Sequence, residues 1–351
     1  MKQLLLILAF ALLLVSCQDK IDPVSNETEA PKAFHKSPDG ADQLGPIEIP
    51  LESGTGIATA GIGLQNGDDY IDLSVPAGAT IKQVLLYWSG GFPSQVKDQG
   101  TGDNEITIEG NSVTGTLIGG PTWFFYVSGE GHFNWTTYRA DITSLNLVAP
   151  GENSLLVGDL EYGSTENNGA GLIVVYDESG QSSELAIVDG QDLAYEGFDT
   201  PEYRNATVPQ TFAFTSSNSD RTGQLSVFCG SVYDDDDRAS IIRVTPDNGP
   251  AVDYQNILSS NDGEAWDTAV LEVEIPAGAT SLTVELISGG SDVLQPASLV
   301  WIASSFSVSK DVNKCWHKKP KHHKKHHWTW NKKKSHFKNY LKKCYNKKKR
   351  R

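Results

Sequence analysis

The chain has 351 residues, of which 38% are hydrophobic and 21% charged, and its formal net charge is -15. That charge is unevenly divided: residues 18–309 hold 10 Lys and Arg against 43 Asp and Glu, whereas residues 310–351 hold 18 Lys and Arg against one Asp. A body this acidic repels nucleic acid, which excludes nucleic-acid binding as its role.

The first residues have the pattern of a secretion signal. Lys2 precedes an apolar run from Leu4 to Val15, which is shorter than the roughly 20 residues of a membrane span. Leu14-Val15-Ser16-Cys17 resembles the lipobox of bacterial lipoproteins, where the signal is cleaved before the Cys and acyl chains are attached to it. We therefore predict a signal peptide at residues 1–16 and lipidation of Cys17, because several acyl chains on one residue anchor a protein stably.

The residues after Cys17 indicate where the protein is sorted. Gln18 occupies the position at which, by resemblance to Gram-negative sorting rules, Asp favours retention in the inner membrane. We therefore expect the outer membrane or cell surface. Residues 17–45 are rich in Pro, Asp, Glu, Ser and Lys, a composition typical of a disordered, flexible tether.

Hydrophobic periodicity predicts β-strands through most of the body. Tyr70–Val75 and Leu271–Ile275 alternate apolar and polar side chains with a period of two, as strands with one buried face do. Val84–Trp88, Leu172–Tyr176 and Leu299–Ala303 are continuous apolar runs, which indicate central strands covered on both faces.

Helical periodicity is almost absent from the body, and only Arg139–Leu147 resembles a helical turn. The 33 Gly residues act as frequent breakers between strands. The fold class is therefore all-β, with one or two antiparallel β-sandwich, jelly-roll-like domains between a disordered tether and a disordered basic tail.

One turn motif occurs twice. Val75–Thr80 and Ile275–Thr280 each read Val or Ile followed by Pro-Ala-Gly-Ala-Thr, and each lies between two predicted strands. Proline ends the first strand and Gly permits the turn that returns the chain. The repeat favours two related sandwiches, at residues 46–180 and 181–309; the alternative is one larger sandwich that uses the same turn twice.

Several short elements of the body carry a family resemblance. Ala77–Thr80 leads into Leu85–Trp88, an acidic turn follows at Asp141–Leu145, and a strand follows at Gly171–Tyr176. This succession resembles a group of uncharacterised bacterial secreted and cell-surface proteins built from β-sandwich modules. The resemblance implies the fold and the surface location, and it implies no activity and no site residue.

Catalytic signatures are sparse in the body. Two His residues, His35 and His132, precede the basic tail, and no Ser lies in a nucleophile-elbow pattern. We therefore predict no enzymatic activity and no required cofactor. The alternative is a surface polysaccharide hydrolase that uses two of the many carboxylates as its acid and base.

Calcium is the candidate metal of the body. Four consecutive carboxylates follow a predicted strand, and Ca²⁺ prefers six to eight such oxygen ligands: Asp234, Asp235, Asp236 and Asp237. The alternative is a solvated loop whose charge is offset by Arg238 and Arg243. A weaker acidic cluster comprises Asp262, Glu264 and Asp267.

Aromatic residues are concentrated around one Gly-rich turn. Trp123–Tyr126 precedes the turn and Phe133–Trp135 follows it. Rings on a sheet are usually core or interface residues, which is the interpretation we favour. The alternative is an exposed face that packs against sugar rings.

Residues 310–351 form a basic tail that interleaves lysines with His, Trp, Phe and Tyr. Like-charge blocks of this density are typical of disordered interaction arms, and the alternative is a solvated tail without a specific function. Lysines neutralise phosphates, so we predict contacts with polyanions such as lipopolysaccharide, acidic glycans or extracellular DNA. The predicted polyanion-binding residues are Lys318, Lys319, Lys324, Lys325, Lys332, Lys333, Lys334, Lys347, Lys348, Lys349, Arg350 and Arg351.

Two further features of the tail suggest defined chemistry. Four of its six histidines lie at spacings that suit a transition metal on one helical face: His322, His323, His326 and His327. Cys315 and Cys344 lie in an oxidising compartment and are a candidate disulfide. Cys229 lies in a predicted strand, where a buried thiol is expected.

Taken together, these features predict a lipid-anchored cell-surface protein of the binding or adhesion class. The alternatives are the polysaccharide hydrolase and a structural surface component that self-associates when the basic tail of one copy meets the acidic body of another.

Overall fold

The structure, a computed structural model, describes residues 43–162, 167–197, 205–233, 238–290 and 294–310. These residues contain eighteen β-strands and a single 3-10 turn at Thr143–Leu145. The all-β prediction is confirmed. In chain order the strands are β1 Gly45–Pro46, β2 Gly56–Gly63, β3 Asp69–Val75, β4 Thr80–Ser94, β5 Glu105–Ile108, β6 Asn111–Thr114, β7 Thr116–Val127, β8 Gly131–Asp141, β9 Gly151–Gly158, β10 Asn167–Asp177, β11 Ser183–Ala194, β12 Gln210–Ala213, β13 Arg221–Gly230, β14 Ser240–Pro246, β15 Val252–Gln255, β16 Trp266–Ile275, β17 Ser281–Ser288 and β18 Leu299–Ser309.

The strands form four antiparallel sheets. Inner sheet 1 has the order β2-β10-β4-β8-β7 and outer sheet 1 the order β3-β9-β5-β6. Inner sheet 2 has the order β1-β11-β18-β13-β16 and outer sheet 2 the order β12-β17-β14-β15. Each inner sheet and its outer sheet enclose an apolar core.

The two pairs of sheets share one strand order. Without β7 and β1, the inner sheets read β2-β10-β4-β8 and β11-β18-β13-β16, and the outer sheets correspond strand by strand. This succession is that of an eight-stranded jelly roll, with two Greek keys. The described chain therefore contains two jelly rolls of the same topology, each with its own core.

The first core shows why alternating sequences became strands. Ile71, Leu73 and Val75 on β3 point inward, and they meet Leu86 and Trp88 from β4. The second core is built in the same way by the inward residues of its two sheets. Burial of these apolar faces is the main favourable term in folding.

A third apolar cluster joins the two inner sheets face to face, and we call it the seam. Its fifteen buried residues come from both inner sheets: Ile57, Leu85, Tyr87, Phe124, Phe133, Trp135, Ile173, Val175, Ile187, Leu193, Phe228, Trp266, Val300, Ile302 and Ala303. The seam explains the continuous apolar runs, since an inner strand needs apolar side chains on both faces. On β18, Trp301 enters the second core while Val300 and Ile302 enter the seam. The prediction that these runs are central strands is confirmed.

The segment Arg139–Leu147 differs from its predicted helical turn. Strand β8 continues to Asp141, and the 3-10 turn is confined to Thr143–Leu145. The Asp141 carboxylate ends the strand, because it accepts hydrogen bonds from both the backbone N–H and the hydroxyl of Thr143.

The repeated turn motif lies at different places in the two jelly rolls. Val75–Thr80 joins β3 to β4, whereas Ile275–Thr280 joins β16 to β17. The two turns have the same hydrogen bond: the Ala79 N–H donates to the Pro76 carbonyl at 2.9 Å, and the Ala279 N–H donates to the Pro276 carbonyl at 3.1 Å. Both turns carry the chain between an inner and an outer sheet, but the connections do not correspond. The motif is therefore the same type of turn used twice, and it does not mark equivalent positions in the two jelly rolls.

Candidate functional site

Two charged residues lie where the seam meets solvent. Arg139 belongs to β8, whose alternating side chains Trp135, Thr137 and Arg139 face inner sheet 2. Asp189 belongs to β11, where a bulge between Asp189 and Asp192 shifts the register against β18. A bulge re-aims side chains, and here it directs polar groups of β11 toward inner sheet 1.

The Arg139 and Asp189 side chains form a buried ion pair. Arg139 Nη1 lies 2.5 Å from Asp189 Oδ2, and the two side chains are 5% and 4% exposed. The Tyr87 hydroxyl, on neighbouring β4, donates a hydrogen bond to the same carboxylate oxygen at 3.1 Å. This cluster therefore ties β4 and β8 of one jelly roll to β11 of the other.

Burial governs the protonation of this cluster. It raises the pKa of the Asp189 carboxyl, and the Arg139 charge offsets only part of that effect. Burial and the adjacent Asp189 charge also raise the pKa of the Tyr87 phenol well above its ordinary value. Tyr87 thus stays protonated and acts as a hydrogen-bond donor.

Uncharged side chains continue the polar contact along the seam. Thr137 donates to Gln191 Oε1 at 2.9 Å, and Gln191 Nε2 donates to the Trp135 carbonyl at 3.0 Å. Gly119 on β7 makes this approach feasible, because a Cβ there would lie 2.3 Å from the Gln191 Cβ. The edge of β7 is thereby held close to β11.

A cleft of about 320 Å³ opens above the ion pair, and we call it the seam cleft. Residues 43–46 and Glu48 form one wall, residues 117–120 of β7 form the other, and Arg139 and Asp189 line it between them. Both walls are sheet edges, since β1 ends inner sheet 2 and β7 ends inner sheet 1. The size lies within the range of small-molecule sites.

The wall formed by residues 43–52 is fixed to both jelly rolls. Leu44 is buried in the second core, and the Ile47 N–H donates to the Ile187 carbonyl at 3.3 Å. On the other side, Gln83 Nε2 donates to the Pro50 carbonyl, and Gln83 Oε1 accepts from the Glu52 N–H. The predicted end of the tether at residue 45 was therefore too late, because residues 43–45 belong to the fold and line the cleft. The rest of the predicted tether lies outside the described residues.

The cleft offers donors and acceptors together. Arg139 supplies N–H donors, Glu48 and Asp189 supply carboxylate oxygens, and Gln43 supplies both kinds of group. The ionised lining has one positive and two negative charges. Such a mixed set suits a ligand whose own groups both donate and accept.

Most site residues predicted from the sequence lie outside the described residues. This applies to lipidation at Cys17, to the candidate calcium ligands Asp234–Asp237, and to every residue proposed in the tail. These sites stay predictions. Of the two arginines weighed against calcium, Arg243 binds Asp253 through two hydrogen bonds of 2.8 and 2.9 Å, and Arg238 lies over the Tyr233 ring.

The weaker acidic cluster binds backbone groups of its own loop. Asp267 accepts the N–H groups of Ser260 and Asn261 at 2.9 and 2.7 Å, and Asp262 accepts the N–H of Thr268 at 2.6 Å. Burial raises the pKa of Asp267 to about 6 despite these donors. Within the described part of the chain, the structure gathers no group of three or more metal-ligating side chains.

The aromatic cluster is largely internal, as the sequence favoured. Phe124 and Trp135 are buried in the seam with ring centroids 5.1 Å apart, whereas Tyr126 is 53% exposed. His132 packs against the Tyr126 ring at 5.1 Å. Cys229 is a buried free thiol, as predicted, and burial raises its pKa.

Sequence reasoning did not identify Arg139 and Asp189 as a pair. One signal was present: Arg139 is the sole Lys or Arg between Lys97 and Arg204, and it continues an alternating strand. A charged residue at a buried position of a strand needs a partner. The identity of that partner, 50 residues away, depends on how the two inner sheets stack.

Comparisons with known proteins are distant. No family model matches the chain, and no curated protein is detectably similar to it in sequence. Among solved structures, PNGase F, a glycosylasparaginase from Flavobacterium meningosepticum, is 11% identical over 73% of this chain and 96% of its own, with a TM-score of 0.25. The ANX1 ectodomain from Arabidopsis thaliana is 8% identical over 75% of this chain and 90% of its own, with a TM-score of 0.22. At these values the likenesses carry no argument about function.

Proposed function

We propose that this chain is a lipid-anchored cell-surface protein that binds an extracellular ligand in the seam cleft. The observation that carries the proposal is the Arg139–Asp189 pair, which is almost fully buried yet lines the floor of a cleft between two sheet edges. Pockets at the junction of two structural units are common ligand sites.

The ligand that fits this lining is a neutral, polyhydroxylated molecule such as a glycan segment. Sugar hydroxyls both donate and accept hydrogen bonds, which matches the guanidinium, carboxylate and amide groups of the cleft. An anionic group would meet Glu48 and Asp189, whose two charges exceed that of Arg139. The proposed cleft ligand is thus distinct from the polyanions proposed for the tail.

A rim substitution tests the cleft without disturbing the fold. Leu117 lines the cleft and is 37% exposed, so Leu117→Trp should fill the opening while leaving the apolar cores intact. We expect at least a tenfold loss of affinity for the best neutral glycan on an array, about 1.4 kcal/mol. Val252→Trp, at a residue 48% exposed on outer sheet 2, is the matched control. Equal binding by the two variants would refute the cleft as the site.

A hydrolase is the second candidate function, and one observation favours it. Glu48 and Asp189 line the same cleft, and burial raises the pKa of Asp189, as befits a general acid. The ion pair with Arg139 opposes this role, because it holds the carboxylate in place and favours its charged form. Release of shortened products from the glycan bound on the array would establish the hydrolase.

The membrane anchor is proposed from the lipobox resemblance. No helix among the described residues is long and apolar enough to cross a membrane. We expect Cys17→Ser to move the protein from the membrane fraction of its host into the soluble fraction. Retention of this variant in the membrane fraction would contradict a lipid anchor at Cys17.

The basic tail is proposed to add a second, less specific contact. Its excess of Lys and Arg suits polyanions such as lipopolysaccharide, acidic glycans or extracellular DNA. In this view the cleft supplies selectivity and the tail supplies adhesion to charged surfaces.

A further inference from the structure

The outward face of outer sheet 1 carries carboxylates and no cation. Its four strands contain no Lys, Arg or His. Asp72, Glu105 and Glu152 are exposed on these strands, and Glu109 follows β5 directly. We call this surface the acidic face.

An exposed apolar pair lies among these carboxylates. Tyr70 on β3 and Leu156 on β9 are direct cross-strand partners, and they are 51% and 36% exposed. Glu109 is fixed beside them, because its side chain accepts the Leu156 N–H at 2.7 Å. An exposed ring bordered by carboxylates attracts cationic and aromatic side chains, through charge, cation–π contact and apolar contact together.

The equivalent face of the second jelly roll is different. On outer sheet 2, Arg243 from β14 binds Asp253 of β15 in bidentate fashion and lies 4.0 Å from Glu285 of β17. That face carries its own counter-charge. Outer sheet 2 thus neutralises part of its own negative charge with Arg243, whereas the strands of outer sheet 1 contain no cation that could do so.

The chain itself contains a segment of complementary chemistry. Residues 311–351 hold 17 Lys and Arg against one Asp, with Trp, Phe, Tyr and His between them. They follow Lys310, whose N–H donates to the Ser182 carbonyl at 2.8 Å. Ser182 follows the end of β10 at Asp177 by five residues, and Asp177 pairs with Thr80, which follows the end of β3 at Val75 by five residues.

Length permits the segment to reach the acidic face of its own chain. Fully extended, 41 residues span roughly 130 Å, whereas stacked sheets lie about 10 Å apart. A tethered segment also has a high effective concentration at a surface within its reach. We propose that residues 311–351 dock on the acidic face of the same molecule.

Docking would regulate the tail. Lysines held against Asp72, Glu105, Glu109 and Glu152 are withheld from external polyanions, so a polyanion must compete with the acidic face. This consequence rests on the proposed polyanion binding by the tail, whereas the docking itself does not. The acidic face then acts as an internal competitor that selects for dense polyanions.

Removing charges from the acidic face tests the proposal in the full-length protein. A triple variant removes three charges while keeping the side-chain shapes: Asp72→Asn, Glu105→Gln and Glu152→Gln. The matched control removes three exposed charges elsewhere, by Glu130→Gln, Glu272→Gln and Glu274→Gln. At about 100 mM salt we expect the first variant to bind heparin roughly three- to tenfold more tightly than wild type, and the control to remain within twofold.

Carbodiimide cross-linking supplies a readout that does not depend on heparin. In wild type, tail lysines should be joined to acidic-face carboxylates, and mixtures of isotope-labelled and unlabelled protein should show these links within single chains. Links spread evenly over both jelly rolls, or links mainly between copies, would overturn the proposal. Equal heparin affinities of the two variants would also overturn it. Failure of glycan binding in the seam cleft would leave these results unchanged.

Discussion

Replacing Arg139 with Met should lower the free energy of unfolding by about 3–5 kcal/mol, because it leaves the Asp189 charge buried without its partner. Urea denaturation at pH 7 measures this loss. The deficit should shrink as the pH falls, since burial already raises the pKa of Asp189 and removal of the guanidinium raises it further.

An all-apolar variant separates the ion pair from the packing around it. This triple variant, Arg139→Met, Asp189→Leu and Tyr87→Phe, removes both charges and the hydroxyl that donates to Asp189. Buried ion pairs replaced as a unit often leave stability nearly unchanged, so this variant should be within about 2 kcal/mol of wild type. An Arg139→Met variant as stable as wild type would show that Asp189 has another partner or remains hydrated.

Replacing Asp267 with Asn leaves one side-chain oxygen to accept the N–H groups of both Ser260 and Asn261, and we expect its effect on the free energy of unfolding to depend strongly on pH. The effect should extend to inner sheet 1, since the Asp262 carbonyl of the same loop accepts a hydrogen bond from the Gly63 N–H on β2 at 2.7 Å. Chemical denaturation at several pH values gives both the loss and its pH dependence.

The sign of that pH dependence follows from the raised pKa. A carboxyl whose pKa is about 6 in the folded chain and 3.8 in the unfolded chain binds its proton more tightly when folded. Its contribution is full below about pH 4 and is lost as the pH rises through about 6. The stability difference between wild type and Asp267→Asn should therefore grow by about 3 kcal/mol from pH 7 to pH 4.

A second carboxyl provides a control of opposite sign. Arg243 lowers the pKa of Asp253, so the difference between wild type and Asp253→Asn should shrink as the pH falls. If the stability differences of the two variants from wild type changed with pH in the same direction, the raised pKa assigned to Asp267 would be contradicted.

The strand pattern could be predicted because the sheets impose it directly. Tyr70–Val75 alternates since one of its faces is exposed, and Leu299–Ala303 does not alternate since inner sheet 2 is covered on both faces. The helical turn expected over Arg139–Leu147 was too long, because strand β8 continues to Asp141 and Asn146, in the left-handed region, ends the 3-10 turn at Leu145.

The seam cleft could not be predicted because it depends on stacking. Arg139 and Asp189 belong to different jelly rolls, and no local pattern relates β8 to β11. The repeated turn at Val75–Thr80 and Ile275–Thr280 was a weak guide to architecture, since the two copies join strands that do not correspond. Cross-sheet contacts follow from the packing of whole faces.

The most direct test of the central claim is hydrogen exchange with and without the best neutral glycan from the array. Ligand in the seam cleft should slow amide exchange in residues 43–48 and 117–120, the two walls, and leave β14 and β15 on outer sheet 2 unchanged. Protection confined to other surfaces, with both walls exchanging as in the free protein, would contradict the assignment of the seam cleft as the binding site.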